Sequence, residues 1–408
     1  MEHSSKENLW RKEYTRRTIT EWGRRLPLTP GGYAESVDAD WKEAAEEIRT
    51  LVTQARLTYV FCHCSRLGNK ELQMLVDVEL SKLAIASTRR LMSVFWKPEL
   101  RGWIRSTDKY GKPLDTTIDS YGQSFGLFAL ALDYRVRNNS ETRNIALRVL
   151  AALDEYAAAP SGGYFEYRKG GRTAPGLPFP HLRRLEPHMY LFEAFISWYA
   201  VDHCGPWLEK AQSILKLLRE KFLQPDGSVA AYFDNDLHLA EGEAGNVRIV
   251  GDHYEWIWLL GQYEKFSGDS SMRECAKGMF AFAEKYGRDS AGFAFAEVDS
   301  AGNVLDGNRF LWMQFEMFKS YVAMYDWTGD KAFLDTADKI RLRIRDTYLH
   351  HKILFYNKLD ADGKPDPSPS RTRFLYHLFM AACELDRVLT PSDPGEMEPP
   401  DKLYPGLP

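Results

Sequence analysis

Six segments of this 408-residue chain repeat one pattern. Each combines a glycine-bearing turn with a helix that is apolar on nearly every side and starts with aromatic and polar residues. Their anchors lie at Arg56, Tyr121, Tyr190, His253, Trp312 and His377, at steps of 59 to 69 residues. A step of that size holds two helices and their connections, and a regular period of this kind is typical of repeat architectures.

A second kind of helix alternates with these segments. Its members carry apolar residues at three- and four-residue spacing with charges between, and they span 71–94, 141–157, 207–222, 271–286 and 331–348. Such a helix has one wet face, whereas a helix that is apolar all round is buried on most sides. The alternation predicts an all-α fold, an (α/α)6 barrel of six inner and six outer helices. Residues 40–55 are predicted to be the sixth outer helix.

Hairpin-like stretches precede the inner helices. Aromatic and β-branched residues flank Asp/Gly turns at 102–115, 162–173, 227–239, 292–308 and 353–367, which indicates short β-ribbons. We expect these ribbons to line the mouth of the barrel where inner helices begin. The predicted domains are an N-terminal extension at 1–39, the catalytic barrel at 40–390 and a proline-rich C-terminal tail at 391–408.

Composition narrows the classes of partner. The net charge is −4, with 53 basic and 57 acidic residues, so we expect no basic face for nucleic acid. The N-terminus lacks an apolar signal core, and no run reaches the ~20 apolar residues of a membrane span. Five cysteines without zinc spacing indicate reduced thiols. We therefore expect a cytoplasmic monomer or homodimer that binds no membrane.

Polar side chains gather at the starts of the repeat helices. In a helical barrel those starts point to one mouth, where free N–H groups and the helix dipole favour hydroxyl-rich or anionic ligands. Several of these side chains lie three or four residues apart and share a helix face. Acid/base groups, aromatic rings and an arginine in one pocket point to a small-molecule carbohydrate. The candidate site residues are Arg56, Tyr59, Tyr121, Gln123, His188, Tyr190, Glu193, Asp252, His253, Glu255, Trp312, Glu316 and His377.

The same segments resemble the N-acylglucosamine 2-epimerase family, with its mannose isomerase and cellobiose 2-epimerase relatives. RLTYVF is similar to the family's Arg-x-x-Tyr-x-Phe start, YGQSFGLFALA to its Tyr-Gly-Gln-Ala/Ser-Phe segment, and LYHLFMA to its Tyr-His segment. FLWMQFEMFKS resembles Leu-Trp-Pro-Gln-x-Glu-x-x-Lys, with Met313 in place of proline. The resemblance covers roughly residues 40–390. It implies an (α/α)6 barrel, a substrate-binding role for Arg56 and a site role for His377.

Two positions depart from the family pattern at its acid/base histidines. EPHMYLFEAF keeps His188 and Glu193 but has Tyr190 at the second histidine of His-Met-His-x-x-Glu-Ala. GDHYEW has Asp252 at the first histidine of Gly-His-x-x-Glu and leaves His253 one residue away. One residue along a helix rotates a side chain by about 100°, so His253 need not face the same way as the family's histidine.

The chemistry that the resemblance implies is proton transfer between C1 and C2 of an open-chain aldose. This isomerase or epimerase reaction needs an acid and a base near neutral pKa, and no metal or cofactor. We assign the base role to Asp252, because burial beside Glu255 would raise its pKa, and the acid role to His377. Tyr190 would hydrogen-bond the O1/O2 region, and Arg56 would stabilise the enediolate.

Other interpretations stay open. His253 is the second candidate for the base. Pairing of Asp252 with Glu255, Glu193 or Glu316 would suit a glycoside hydrolase or lyase built on the same pocket. A carbohydrate-binding protein that has lost catalysis is the third possibility, since a fold does not determine a function.

Overall fold

Inner and outer helices alternate along the chain, as the repeat predicts. In this computed structural model the described residues are 15, 18–44, 47–66, 73–167, 178–350 and 353–389. The helices are α1 (18–25), α2 (Leu51–Cys64), α3 (Gln73–Arg90), α4 (Ser120–Arg137), α5 (Ser140–Tyr156), α6 (Glu186–Tyr199), α7 (Trp207–Leu217), α8 (Gly242–Asn246), α9 (Val250–Ser267), α10 (Arg273–Tyr286), α11 (Leu311–Thr328), α12 (Lys331–Tyr348) and α13 (Leu375–Leu389).

Six of these helices form a closed inner ring. Consecutive members of the series α2, α4, α6, α9, α11 and α13 contact each other, and α13 contacts α2. The outer helices α3, α5, α7, α10 and α12 each pack on the inner helix that precedes them in the chain. The predicted (α/α)6 barrel is confirmed. None of the described helices combines the length and the hydropathy that a bilayer-spanning segment needs.

Local sequence sets where the inner helices begin and end. The Thr50 side chain caps α2 by accepting a hydrogen bond from the Thr53 amide. Gly268 and Gly329 follow α9 and α11 with φ of 74° and 69°, a left-handed conformation that glycine adopts without strain. Defined starts matter for function, because the candidate site residues lie in or near the first two turns.

The prediction of an outer helix at 40–55 is wrong. The strand Ile48–Thr50 pairs with Ser106–Asp108, and the helix that starts at Leu51 belongs to the inner ring. Arg49 is fully buried and its guanidinium forms an ion pair with Glu43 at 2.5 Å. This buried polar contact and the strand pairing keep the segment extended, although its charge pattern favours a helix.

The sixth outer position is filled by α1 instead. The buried indole of Trp22 stacks on Phe355, with ring centroids 5.5 Å apart, and donates a hydrogen bond to the Ile353 carbonyl at 2.9 Å. On the other side, Arg24 pairs with Glu79 of α3. Thus α1 closes the outer ring between α3 and the segment that follows α12.

Residues of the predicted extension contribute to the main core. Ile19, Leu26 and Tyr33 are at least 96% buried and belong to the same hydrophobic cluster as the barrel helices. The domain limits at 39/40 and 390/391 stay a prediction, and the tail at 391–408 lies outside the described residues.

Short strands cover the mouth of the barrel. They are β1 (Leu28–Thr29), β2 (Gly32–Tyr33), β3 (Ser36–Val37), β4 (Ile48–Thr50), β5 (Trp96–Lys97), β6 (Gly102–Trp103), β7 (Ser106–Asp108), β8 (Pro113–Asp115), β9 (Arg183–Arg184), β10 (Tyr232–Phe233), β11 (Arg248–Ile249), β12 (Glu297–Val298), β13 (Val304–Asp306), β14 (Arg309–Phe310), β15 (Leu349–His350), β16 (Leu354–Phe355), β17 (Lys358–Leu359) and β18 (Ser370–Arg371). Four of the five predicted ribbons contain these strands; the fifth, 162–173, lies partly outside the described residues.

The strands also link each unit to the next. A strand before an inner helix pairs with the following ribbon in β4–β7, β9–β10, β11–β12 and β14–β17. The pair β18–β3 joins the last unit to the first and closes the ring at the mouth. The ribbon at 28–37 was not predicted, although its GGYAESV sequence is similar to GGYFEYR at 162–168.

Candidate active site

Arg56, Tyr190 and Glu255 come together from three inner helices. Arg56 Nη2 donates a hydrogen bond to Tyr190 Oη at 3.3 Å, and Tyr190 Oη donates to Glu255 Oε2 at 3.4 Å. The guanidinium carbon lies 4.8, 5.5 and 5.2 Å from the ring centroids of Phe125, Tyr190 and Tyr376. A cation that lies over aromatic faces is stabilised even where water is scarce. Arg56 therefore provides a permanent positive charge inside the barrel.

Glu193 and Tyr59 lie beside the same arginine. The Tyr376 hydroxyl donates a hydrogen bond to Glu193 Oε1. Burial raises the pKa of Glu193 to about 7, against the effect of this hydrogen bond. Tyr59 stacks on Phe128 at 3.9 Å and meets the Tyr376 ring edge-on at 5.7 Å. Tyr59 thus forms part of the aromatic wall around the predicted site.

His377, Glu316 and Lys319 form a buried chain of contacts. His377 Nδ1 lies 2.6 Å from Glu316 Oε1, and Lys319 Nζ lies 2.7 Å from Glu316 Oε2. Burial lowers the pKa of His377 to about 3, so its imidazole is neutral at neutral pH. A neutral ring can donate to the carboxylate only through Nδ1–H, which leaves Nε2 as a proton acceptor.

The charge state of Glu316 follows from its neighbours. Burial acts to raise the pKa of Glu316, but the Lys319 ammonium and the His377 hydrogen bond outweigh burial and hold that pKa below its ordinary value. Glu255 differs: burial and the nearby Glu316 charge raise its pKa well above the ordinary value. Its Oε1 atom is buried and has no hydrogen-bond partner among the described residues. Glu255 therefore offers a polar atom to a ligand.

Asp252 lies one helical turn nearer the mouth than Glu255. Its side chain is 4% exposed, and no hydrogen bond joins it to another described residue. Burial raises the pKa of Asp252 well above its ordinary value; Glu186 and Glu297 add to the effect and Arg184 opposes it. Burial therefore favours the protonated form of Asp252 over the carboxylate.

Trp312 and Tyr121 lie near the mouth. The Trp312 ring centroid is 5.7 Å from that of His377. The far edge of the indole packs on the backbone of Gly251, where an added Cβ would meet it at 2.5 Å. Tyr121 meets the Tyr190 ring edge-on at 5.5 Å. The structure therefore places both predicted aromatic residues next to the group that contains Arg56 and His377.

Gln123, His188 and His253 occupy a different kind of position. Each anchors a mouth ribbon to an inner helix by hydrogen-bonding the ribbon's backbone. Gln123, for example, accepts from the Trp103 amide at 2.8 Å and donates to the Trp103 carbonyl at 2.9 Å. The residues in these repeated anchor positions are Gln54, Gln123, His188, His253 and Gln314.

Both histidine anchors have their two ring nitrogens engaged. His253 Nε2 accepts from the Val229 amide at 3.0 Å, and Nδ1 lies 2.9 Å from the Ile249 carbonyl. His188 contacts the backbone of Tyr164 and Arg184 in the same way. The structure thus gives these side chains a scaffold role, and neither nitrogen of His253 is open to a substrate. The repeat pattern alone could not separate an anchor from a ligand-binding residue at the same turn.

Lys319 and Tyr376 are site residues that the sequence reasoning missed. Lys319 follows Glu316 by three residues in an otherwise apolar helix, and a lysine in such surroundings is rarely buried without a partner. Tyr376 directly precedes His377. Both signals were readable in the sequence, but Trp258, which contacts Lys319, and Glu193, which contacts Tyr376, lie on other helices.

One group of side chains is close enough to hold a metal ion. Ligand atoms of Glu255, Glu316 and His377 lie within 4.8 Å of one another. Both oxygens of Glu316 already contact Lys319 and His377, and the charges of Lys319 and Arg56 would oppose a divalent cation. The donor set therefore fits a hydrogen-bonded network better than a metal centre.

Comparisons with known proteins point to one family. The sequence profile of N-acylglucosamine 2-epimerase (GlcNAc 2-epimerase) matches residues 31–381. The chain is 26% identical over 376 residues to a mannose-6-phosphate isomerase of Rhizobium meliloti, with 88% of this chain and 91% of the relative covered. It is 23% identical over 393 residues to a cellobiose 2-epimerase of Bacteroides fragilis, with 92% and 97% covered.

Solved structures support the same architecture. The cellobiose 2-epimerase of Bacillus thermoamylovorans superposes with a TM-score of 0.81 at 19% identity, and the match covers 93% of this chain and 100% of the other. At that identity the likeness establishes the fold alone.

Proposed function

The chain belongs to the N-acylglucosamine 2-epimerase family, and on this basis we propose that it is a sugar isomerase that moves a proton at C1 and C2 of an open-chain aldose. Relatives named as an isomerase and a 2-epimerase support this reaction class. The observation that carries the proposal is the neutral imidazole of His377, which Glu316 orients and which is buried near Arg56.

In the proposed reaction His377 is the base. Its Nε2 takes the proton from C2, and the electron pair of that C–H bond moves to form the enediolate with negative charge on O1. Glu316 stabilises the imidazolium by accepting Nδ1–H, as a carboxylate does for a catalytic histidine. Arg56 stabilises the oxygen charge, because its guanidinium is fixed before the reaction starts.

Asp252 is the proposed acid. Burial raises its pKa and so favours the protonated form, which can give its proton to the enediolate carbon and take one back in the reverse direction. It lies on α9, whereas His377 lies on α13 on the far side of α11. Delivery to C2 on the opposite face would give the epimer, and delivery to C1, with the O2 proton passing to O1, would give the ketose. This assignment reverses the acid and base roles suggested by the sequence.

The proposed reaction uses no metal and no cofactor. Each step is a proton transfer between side chains and substrate, and the positive charge that an enediolate needs comes from Arg56. The ion pair between Lys319 and Glu316 supports this view, because it occupies a carboxylate oxygen that a metal would require.

Proton NMR in deuterium oxide tests the proposal. The purified protein is incubated with mannose, glucose, N-acetylglucosamine, cellobiose and mannose 6-phosphate in turn. We expect deuterium to replace the C2 hydrogen of at least one sugar, even without net conversion, and the exchange to be lost in His377→Asn. Absence of exchange with every sugar, from a folded protein, would overturn the proposed reaction.

A second candidate function is glycoside cleavage. It is favoured by one observation: Asp252 is buried near Glu186 and Glu297, burial raises its pKa, and a carboxyl group that holds its proton beside a second carboxylate is what that reaction requires. Release of nitrophenol from aryl glycosides, lost in Asp252→Asn and without C2 exchange, would support this function over the first.

A further inference from the structure

Lys319 is a buried lysine one turn from Glu316 on α11. Neither side chain has exposed surface, and their charged atoms lie 2.7 Å apart. The ammonium also lies 3.5 Å from the ring centroid of Trp258 and 5.9 Å from that of Tyr376. An ammonium taken out of water is costly unless an opposite charge and an aromatic face compensate it. Here Glu316 supplies the opposite charge, and the rings of Trp258 and Tyr376 supply the aromatic faces.

The other charged groups around His377 show why this charge matters. Glu316 and Lys319 face His377 from α11, Arg56 from α2 and Glu255 from α9, and Tyr376 is its neighbour on α13. Glu193 and Glu255 place two further carboxyl groups near Glu316. A carboxylate among like groups in a dry site tends to take up a proton. Lys319 is the cation in direct contact with Glu316 and opposes that uptake.

The charge of Lys319 affects how many protons the pair of Glu316 and His377 holds. With Lys319 charged, the pair holds one proton, which lies between Nδ1 and Oε1 and leaves Nε2 free. Without that charge the pair takes up a second proton at a higher pH. One proton stays between Nδ1 and Oε1, and the other can go to Nε2 or to Oε2. In Lys319→Met a proton on Oε2 would face an apolar side chain and have no acceptor there, so the second proton is expected on Nε2, which then cannot act as a base.

We propose that Lys319 is a positioning residue that keeps the Glu316–His377 pair in its one-proton state, with Nε2 of His377 open to the substrate. The activity measurement rests on the proposed function, whereas the proton on Nε2 can be measured in the resting protein without a substrate. Lys319 does not touch the substrate in this proposal; it acts through Glu316.

The test measures the proton on Nε2 directly. In protein labelled with ¹⁵N-histidine, the His377 signals are identified by their loss in His377→Asn. Nε2 protonation is followed from acid to neutral pH. The wild-type midpoint should lie well below neutral pH, because burial lowers the pKa of His377 to about 3, and the Lys319→Met midpoint should lie about one to three pH units higher. The acid limb of kcat/KM should move up by the same amount, so the variant should lose activity at mildly acid pH and keep it at neutral pH.

Three further variants separate this role from a merely structural one. Lys319→Arg keeps the charge and should restore the wild-type proton state and pH profile. Lys319→Gln keeps a hydrogen-bond donor without the charge and should behave as Lys319→Met does, even if the Met variant fails to fold. Lys265→Met removes a lysine that pairs with Asp326 on α11 and should leave both readouts unchanged.

The outcomes are distinguishable. A folded Lys319→Met or Lys319→Gln variant with the wild-type midpoint for Nε2 and the wild-type pH profile would overturn the role of Lys319 and leave the isomerase proposal intact. A raised midpoint in a protein that exchanges no sugar hydrogen would support the role of Lys319 and refute the isomerase.

Discussion

His377 Nδ1 lies 2.6 Å from Glu316 Oε1, although the two residues are 61 positions apart in the sequence. The contact joins the second turn of α11 to the first turn of α13, its neighbour in the inner ring. Since Nδ1 of His377 faces Glu316, Nε2 is the nitrogen that can accept a proton from a substrate.

Replacement of His377 should remove the base. His377→Asn is expected to lower kcat by about 10²–10⁴-fold with little change in KM, because the amide is polar but cannot accept the C2 proton. Steady-state kinetics on the sugar found by deuterium exchange measures this loss. The matched control is His238→Asn, since His238 pairs with Asp234 at the surface. A His377→Asn enzyme as active as wild type would exclude His377 as the base.

If Asp252 is the acid, its ionisation should produce the alkaline limb in the pH profile of kcat/KM. A required carboxylic acid is present below its pKa and is lost as the pH rises through that pKa, which burial raises. Asp252→Asn should therefore lower kcat and abolish the alkaline limb of kcat/KM. If the wild type instead loses activity only at acid pH, and Asp252→Asn removes that acid limb, then Asp252 is the base.

Restoring the family's histidine gives an independent test of the same position. Asp252→His is expected to keep or raise C2 exchange, because the imidazole would lie one turn above Glu255 and could pair with its unpartnered Oε1. The comparison is the initial rate of deuterium incorporation by the two proteins. A complete loss of exchange in a folded Asp252→His protein would contradict this expectation and favour a pocket adapted to another reaction.

His253 should matter for stability and not for chemistry. His253→Ala removes a side chain that bridges the Val229 amide and the Ile249 carbonyl, so the free energy of unfolding should fall by about 1–3 kcal/mol. His253→Gln should recover much of that loss, because glutamine serves in the equivalent positions of three other units. Denaturant unfolding measures both. If a folded His253→Gln enzyme has a kcat as low as that of His377→Asn, then His253 is a catalytic residue.

Chelation should not remove activity. Since the proposed steps are proton transfers and Lys319 contacts Glu316, the rate of C2 exchange is expected to be the same before and after dialysis against excess EDTA. Metal analysis of the dialysed protein serves as the control. Loss of exchange that a divalent ion restores would show that Glu255, Glu316 and His377 hold a metal after all.

The sequence by itself determined the architecture and the approximate place of the site. An apolar helix repeated six times must be buried, and it must alternate with amphipathic helices that shield it, so the barrel follows from periodicity and burial. The same pattern places polar residues at the helix starts. It also predicted Arg56, Glu316 and His377, which the structure brings together.

Only the tertiary structure decided what each polar residue does. Gln123, His188 and His253 occupy the same turns as the site residues, but they point at ribbon backbone, because each ribbon has amide groups that need partners. The sixth outer helix likewise depends on Trp22 packing against Phe355, a contact between opposite ends of the chain.

The protonation states of the site residues could not be predicted from the sequence for the same reason. Asp252 and His377 have ordinary pKa values as isolated side chains, but burial in the folded protein raises the pKa of Asp252 and lowers that of His377. Lys319 and Glu316 are neighbours on α11, whereas the contact from Glu316 to His377 joins two helices. That second contact forms only when the ring closes, so a local sequence pattern cannot predict it.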